Sequence, residues 1–517
     1  MALNLASLVD TSTRYFASEP ALKDDARVLS YGELQTRVRG FAQYLSSRGL
    51  ERGDRVALMM PNCTSFTVAY FGILYAGGVV VPVSYLAVDR EIEYLLDDSD
   101  SVFLITSVAY ESQATGGFNG ASDCRELLLV DDSLGPVSLV NADSPQPTSA
   151  FECTQTEADD IAVILYTSGT TGVPKGASLT HFNLHSNAQF TCERMFWKPG
   201  EKCETLGPGH VVLAALPLFH SFGQTCNQNA GLFGGACLTY LERFEPEHTL
   251  EIMQRDRVTL FTGVPTMYFQ LLNFQGSDRY DLTSLRFSIS GGAALPVEVL
   301  KEFDARYPVK VLEGYGLSET SPVATFNSLY RPRKPGSIGQ AIHGVDVRVF
   351  DNDDREVGVD EVGEIVIRGP NVMKGYHGRP EATAEAFRNG WFHSGDMARR
   401  DEDGFFYIVD RKKDLIIRGG FNVYPREVEE VLYAHPAVRE AAVIGTPDDE
   451  YGEEVTAYIS LKPDAAAGVE AQTVIDFARE HLAGHKYPRL VHIIDDLPKG
   501  PTGKILRKEL RTREEQP

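Results

Sequence analysis

Residues 166–176 read Tyr-Thr-Ser-Gly-Thr-Thr-Gly-Val-Pro-Lys-Gly. Four hydroxyl side chains (Thr167, Ser168, Thr170, Thr171), three glycines and Lys175 stand together here without a carboxylate. Glycines such as Gly169 let backbone N–H groups come close to an anion, hydroxyls add donors, and the Lys175 ammonium adds charge. This chemistry suits a polyphosphate. No Gly-Lys-Ser/Thr triplet closes the stretch, so it is not the common phosphate loop. The competing reading is a Ser/Gly surface turn. The stretch directly follows Ile161 to Tyr166, which reads as a buried strand, and a strand leading into a glycine-rich loop favours the phosphate reading.

The elements that must position this loop alternate in type. Strand-like runs at Val211–Leu216, Val258–Thr262, Leu285–Ser290 and Val309–Leu312 are separated by helical patterns, two of which open at Pro265 and Pro296. Such alternation predicts a mostly parallel sheet flanked by helices. The apolar run Val68 to Val83 is broken by Gly77, Gly78 and Pro82 and is too short to span a bilayer; it reads as a buried helix turning into a strand. Residues 109–159, rich in Ser, Gly and Asp, read as loop with ill-defined strands. From 345 to 409 short strands follow one another (Val345–Phe350, Glu364–Arg368, Phe405–Val409), predicting a smaller, more antiparallel region. Asp410-Arg411-Lys412-Lys413-Asp414 then interrupts with five consecutive charges. A domain boundary is expected there, as a solvated link; an ordinary charged turn is the competing reading. Beyond it lie a strand at Leu415–Ile417, a helix opening at Pro425, strands at Ala441–Ile444 and Val455–Leu461, and a helix near Thr473–Leu482.

Length and composition bound the function. The 517 residues predict more than one domain, and 43% hydrophobic residues suffice for large cores. With 49 basic and 72 acidic residues the formal net charge is −23, which argues against a general nucleic-acid binder and an electrostatic membrane anchor. The seven cysteines show no CxxC spacing, so a reduced cytoplasmic protein without a cysteine metal site is expected. No transmembrane segment or secretory signal is read.

Five more segments join the first: Gly314-Tyr-Gly-Leu-Ser-Glu319-Thr320, Gly363-Glu-Ile-Val-Ile-Arg-Gly-Pro370, Ser394-Gly-Asp396, Arg411-Lys-Lys-Asp414 and Pro498-Lys-Gly-Pro-Thr-Gly-Lys504. Their order and spacing resemble the adenylate-forming superfamily of acyl- and aryl-CoA synthetases, peptide-synthetase adenylation domains and beetle luciferases. The resemblance covers residues 25 to 510 and is nearest to bacterial medium- and long-chain fatty acyl-CoA ligases. It implies an α/β fold: a large N-terminal domain of βα-wound sheets plus a small β-barrel-like region (1–410), a hinge (411–414, pivot Lys413), and a small mobile α+β C-terminal domain (415–517).

The resemblance also implies roles. A carboxylate attacks the α-phosphate of ATP, giving an acyl-adenylate and pyrophosphate, and the anionic transition state needs positioning and charge stabilisation. Thr167, Ser168, Gly169, Thr170, Thr171 and Lys175 match the phosphate loop. Thr171 and Glu319 match Mg²⁺ ligands. Gly292, Ala293, Gly314, Tyr315, Gly316 and Ser318 match the nucleotide pocket; Ser318 stands where many relatives have Thr. Asp396 matches the ribose carboxylate, with Arg411 as a second contact, and Lys504 matches the C-terminal catalytic lysine. Lys499 and Lys508 read as surface charges. Singly, Glu319 reads as a helix-start acid and Tyr315 as a core tyrosine.

His220, Gln224, Gly263, Gly291, Gly316 and Leu317 match the acid pocket. Its segments hold no carboxylate and no basic side chain except His220, which disfavours amino acids and malonate-like acids. Small residues leave room for a long apolar or flat aromatic tail. Gly419 and Gly420 match the segment that the swivelled small domain brings to the pantetheine tunnel. The expected function is ATP- and CoA-dependent activation of a medium- or long-chain fatty acid. Aryl-acid CoA ligation, loading of a separate carrier protein, nitrite-dependent diazotisation of an arylamine, and a luciferase-like role are the alternatives. A homodimer is compatible with the resemblance.

Overall fold

The computed structural model describes residues 3–25, 27–167, 173–195, 205–329, 332–462, 469–500 and 503–514. Among the described residues two large sheets dominate. One has nine strands in the order Gln340–Ala341, Val323–Phe326, Val311–Gly316, Phe287–Ser290, Leu260–Gly263, Val211–Ala214, Cys237–Tyr240, Pro20–Lys23 and Val28–Ser30. Its six central strands, Val311–Gly316 through Pro20–Lys23, run parallel. The other has seven strands: Gly375–Tyr376, Lys175–Thr180, Ile161–Thr167, Val79–Pro82, Arg55–Met59, Ser101–Ser107 and Glu126–Val130.

Parallel strands carry helices on both faces, so their sequences are continuous apolar runs rather than alternating ones. Val79–Pro82 is buried throughout, and so is the preceding helix Thr64–Tyr75. Prolines open helices where their missing N–H costs nothing, at Pro265–Asn273 and Pro425–Tyr433, while Pro296 is the cap of Val297–Arg306. The antiparallel region expected after 345 is a five-stranded sheet of Asp346–Phe350, Gly363–Arg368, Trp391–Arg400, Phe387–Arg388 and Phe406–Arg411. Beyond it, Ile416, Val423, Val428, Leu432, Val443, Val455, Ala457 and Val474 pack as a separate hydrophobic cluster around Val438–Asp448 and Gly452–Leu461.

Residues 109–159 are not mainly loop. They contain the helix Glu111–Gly120 and the edge strand Glu126–Val130. The helix carries Gly116, Gly117 and Gly120 because it lies hard against Asp89–Asp98: a Cβ at Gly117 would come within 2.5 Å of Ile92, and one at Gly116 within 2.2 Å of Asp89. Close packing overrides the low helix propensity of glycine.

The charged link is not fully solvated either. Asp410 and Asp414 are buried, whereas Lys412 and Lys413 between them are exposed. Arg507 stands 3.5 Å from both acids and 2.6 Å from Glu429, and Arg511 stands 2.9 Å from Asp414. Lys499 is not a free surface charge: its ammonium lies 2.7 Å from buried Glu440.

Candidate active site

The strand Ile161–Thr167 pairs antiparallel with Lys175–Thr180, with Thr167 opposite Lys175. The two ends of the glycine-rich stretch are thus held side by side; Ser168, Gly169, Thr170 and Thr171 lie outside the described residues. Facing these ends is Glu319, in the short turn Ser318–Thr320. Its Oε1 accepts from Tyr376 Oη at 3.0 Å and, more weakly, from Thr167 Oγ1 at 3.5 Å. Tyr376 is there because Gly375–Tyr376 adds a strand to Lys175–Thr180, and its ring lies under the Lys175 ammonium at 5.5 Å. Burial pushes the Glu319 carboxyl up; its own backbone N–H, the Tyr376 hydroxyl and the Arg411 charge oppose this only in part. A hard divalent cation would offset that cost, and an oxygen donor beside phosphate-binding groups is the donor chemistry Mg²⁺ takes.

The residues expected to take the nucleotide cluster at the carboxyl ends of the parallel strands, where open α/β sheets bind ligands. Gly292 (φ +78°) and Ala293 are exposed just past Phe287–Ser290, and Gly314, Tyr315 and Gly316 end Val311–Gly316. Gly316 must be glycine: a Cβ there would stand 1.7 Å from the Pro322 carbonyl. The Tyr315 hydroxyl donates to Asp396 Oδ2 at 2.7 Å, and Arg411 Nε stands 3.3 Å from Asp396 Oδ1. Asp396 and Arg411 are register partners in neighbouring antiparallel strands, which explains their pairing. Burial, then the Asp396 charge, drive the Tyr315 phenol far above its ordinary range, so it stays a donor.

Lys504 arrives from the far end of the chain. Thr266 Oγ1 donates to the Gly503 carbonyl at 3.4 Å, docking the loop on the helix Pro265–Asn273. The Lys504 side chain is reached by solvent in the cleft but is enclosed by protein, which lowers it to about 8; Arg411 lowers it further, and Asp396 opposes this. His220 is lowered to about 4 by burial first and by Lys504 second. One ammonium is therefore coupled to the Asp396–Arg411 pair and to His220. Ser221 Oγ lies 3.5 Å from Ser318 Oγ, joining the acid-side loop to the Glu319 turn.

Of the other acid-pocket residues, Gln224, Gly263 and Gly291 are buried and Gly316 and Leu317 half-buried. The Phe222 ring lies against Gly291, where a Cβ would meet it at 2.9 Å. Gly419 (φ +55°) and Gly420 (φ +82°) form an exposed turn. It is Lys504 and not this turn that docks against the site. The structure thus brings together Thr167, Lys175, Glu319, Tyr315, Asp396, Arg411, Lys504 and His220. Sequence reasoning missed Tyr376, whose short edge strand shows no periodicity, and Thr266. It also missed Arg507, although it stands close behind Lys504 in a basic run, at the start of the helix Arg507–Glu514.

Residues 9–377 match the family model described as AMP-binding enzyme, and residues 427–504 match AMP-binding enzyme C-terminal domain. The chain belongs to the AMP-binding enzyme family. It is 38% identical to the long-chain-fatty-acid–CoA ligase of Bacillus subtilis (strain 168), over 99% of this chain and 94% of the relative. It is 37% identical to a feruloyl-CoA synthase of Amycolatopsis sp., over 95% of each chain. ATP-bound MatB from Rhodopseudomonas palustris superposes with a TM-score of 0.87 at 33% identity, over 100% of this chain and 99% of that one.

Proposed function

We propose that the protein is an AMP-forming acid–thiol ligase, which converts a carboxylic acid, ATP and CoA into an acyl-CoA, AMP and pyrophosphate. The observation that carries this reading is that the Lys504 ammonium is felt by His220, which we assign to the acid, and itself feels Arg411 and Asp396, which we assign to the ribose. In the first half-reaction an acid oxygen bonds to the α-phosphorus while the bond to the β-phosphate oxygen breaks. The Lys504 ammonium lowers the repulsion between the two anions. Lys175 and the hydroxyls of the glycine-rich stretch hold the departing pyrophosphate, and Asp396 takes the ribose hydroxyls. Glu319 and Thr171 would hold Mg²⁺, which when bound would supply charge neutralisation at the phosphates.

In the second half-reaction the residues from 415 onward turn about Lys413. Lys504 leaves, and Gly419-Gly420 comes to the thiol path. The CoA sulfur bonds to the acyl carbon and AMP departs. The relatives' acids set two readings of the substrate. A medium- or long-chain fatty acid fits an acid pocket whose segments hold no carboxylate and whose one basic side chain, His220, is held neutral by burial. An aryl acid is the second reading, supported by the likeness to a feruloyl-CoA synthase. Pyrophosphate exchange into ATP that depends on the acid, followed by AMP release that depends on CoA, tests the reaction. Exchange without any CoA-dependent AMP release would move the acceptor to a carrier protein or another nucleophile.

A further inference from the structure

Within the acyl-CoA ligase reading, on which this rests, we infer that the acid carries a hydrogen-bonding group on its tail, a hydroxyl or an amine, which binds the buried polar wall of Tyr70, Thr225, Gln228 and Asn229. The wall begins immediately after the acid-side loop. Gly223–Asn229 is wound as a π-helix, a form that recurs at functional sites, and all its residues are buried. Its position is fixed from both sides. Upstream, Ser221 meets Ser318 and Phe222 covers Gly291. Underneath, Asn227 Nδ2 donates to the Leu213 carbonyl at 3.2 Å and its Oδ1 accepts from Thr262 Oγ1 at 2.6 Å. Those partners lie in the parallel strands Val211–Ala214 and Leu260–Gly263, near the carboxyl ends that border the nucleotide site.

The side chains of this segment divide sharply. Asn227 is matched at both ends. Gln224 Nε2 donates to the Leu218 carbonyl at 3.2 Å, and its Oε1 accepts from Tyr70 Oη at 3.3 Å. Gln228 Oε1 accepts from Thr67 Oγ1 at 2.7 Å, but its Nε2 has no partner. Asn229 Nδ2 reaches Tyr70 Oη only at 3.5 Å, and its Oδ1 has none. Thr225 Oγ1 has none either, and Thr225, Gln228 and Asn229 are all 0% exposed.

A donor, an acceptor and a hydroxyl left unmatched in one turn destabilise the fold, and leucines there would fill the same space without that cost. Their retention is accounted for if a bound group completes them. A hydroxyl both accepts from an amide N–H and donates to an amide oxygen; an amine can donate to Asn229. An unsubstituted alkyl chain or phenyl ring does neither. The Phe222 ring, 8% exposed and lying against Gly291, directly precedes this segment in the chain.

The test compares kcat/KM for CoA-dependent AMP formation by the wild-type protein on matched acids. One set is dodecanoic against ω-hydroxydodecanoic acid; the other is cinnamic against para-hydroxy- and para-aminocinnamic acid. The substituted member of at least one set should be favoured by about tenfold or more, because a site built to hydrogen-bond rejects the analogue that cannot. The set that responds tells an alkyl tail from an aryl one. Equal or better use of both unsubstituted acids overturns the inference while leaving the ligase reading intact; AMP formation with none of the five overturns both. Gln228→Leu/Asn229→Leu should erase the preference by raising use of the unsubstituted acid, without lowering the melting temperature. A uniform loss on every acid together with a lower melting temperature would make the wall structural only and overturn the inference.

Discussion

Arg507 Nη1 stands 3.5 Å from Asp410 Oδ1, so the first residue of the helix Arg507–Glu514, close behind Lys504, is tied to the start of the charged link. The same guanidinium reaches Asp414 and Glu429, and Asp410 also accepts from the Arg426 backbone N–H at 2.9 Å. The loop that carries the lysine and the link on which it would turn are thus one ionic unit.

Removing Arg507 should therefore do more than delete a surface charge. Arg507→Gln leaves two buried acids without their shared cation, a change that costs about 3 kcal/mol in buried pairs. A thermal melt should fall clearly, and adenylation should weaken more than thioester formation from supplied acyl-adenylate. Arg507→Lys should recover part of both. An unchanged melt would mean the three acids do not need this cation.

Asp396 holds its place through Tyr315 on one oxygen and Arg411 on the other. If Asp396 takes the ribose hydroxyls as we propose, Asp396→Asn loses charge-assisted bonds, and KM for ATP should rise roughly tenfold or more. Tyr315→Phe keeps the ring and should change KM for ATP far less than Tyr315→Ala. Steady-state kinetics in ATP at saturating acid decides between them. Equal effects of the two Tyr315 substitutions would place the function in the hydroxyl and not in the ring.

The pH dependence follows from Lys504, lowered to about 8 by its enclosure. The ammonium is the useful form, so kcat/KM for adenylation should hold below that value and fall as pH rises through about 8. For stability the sign is reversed. A lysine whose folded value is below its unfolded one opposes folding where it is charged, and this penalty fades as pH rises from about 8 toward the ordinary lysine range. Lys504→Met should accordingly melt no lower than wild type at neutral pH. A descending limb that persists in Lys504→Arg would assign the titration elsewhere.

Lys413 sits third in the turn Arg411–Asp414, closed by the Asp414 N–H donating to the Arg411 carbonyl at 2.9 Å. Neither central residue has positive φ, and proline is disfavoured third in such a turn because it restricts Lys412. Lys413→Pro should hinder thioester transfer more than adenylation. It should also lower the melting temperature, contrary to the expectation of a free solvated link. Single-turnover rates of each half-reaction at wild-type levels would remove residue 413 as the pivot.

The sequence exposed the parallel-sheet framework because strand, proline and helix patterns there repeat locally. Pro265 and Pro296 marked helix starts that the structure keeps. It hid Glu111–Gly120, since the reason for its glycines is a neighbouring helix and not the local chain. The charged link misled because Asp410 and Asp414 find cations about a hundred residues away, at Arg507 and Arg511. Tyr376 and the amides of Gln228 and Asn229 were invisible for the same reason. A polar residue reads as solvated until the fold shows what surrounds it. The motif residues that come together around Glu319, Asp396 and Lys504 were legible because the resemblance supplied long-range proximity that periodicity cannot.

The central claim is that Lys504 serves the adenylation step alone. The direct measurement is single-turnover kinetics of Lys504→Ala in the two half-reactions: acid plus ATP to acyl-adenylate, and supplied acyl-adenylate plus CoA to thioester. Lys504→Ala should lose the first by about a thousandfold, the scale of removing a charge-stabilising donor, with the second within a few fold of wild type. A comparable loss in both half-reactions would contradict it.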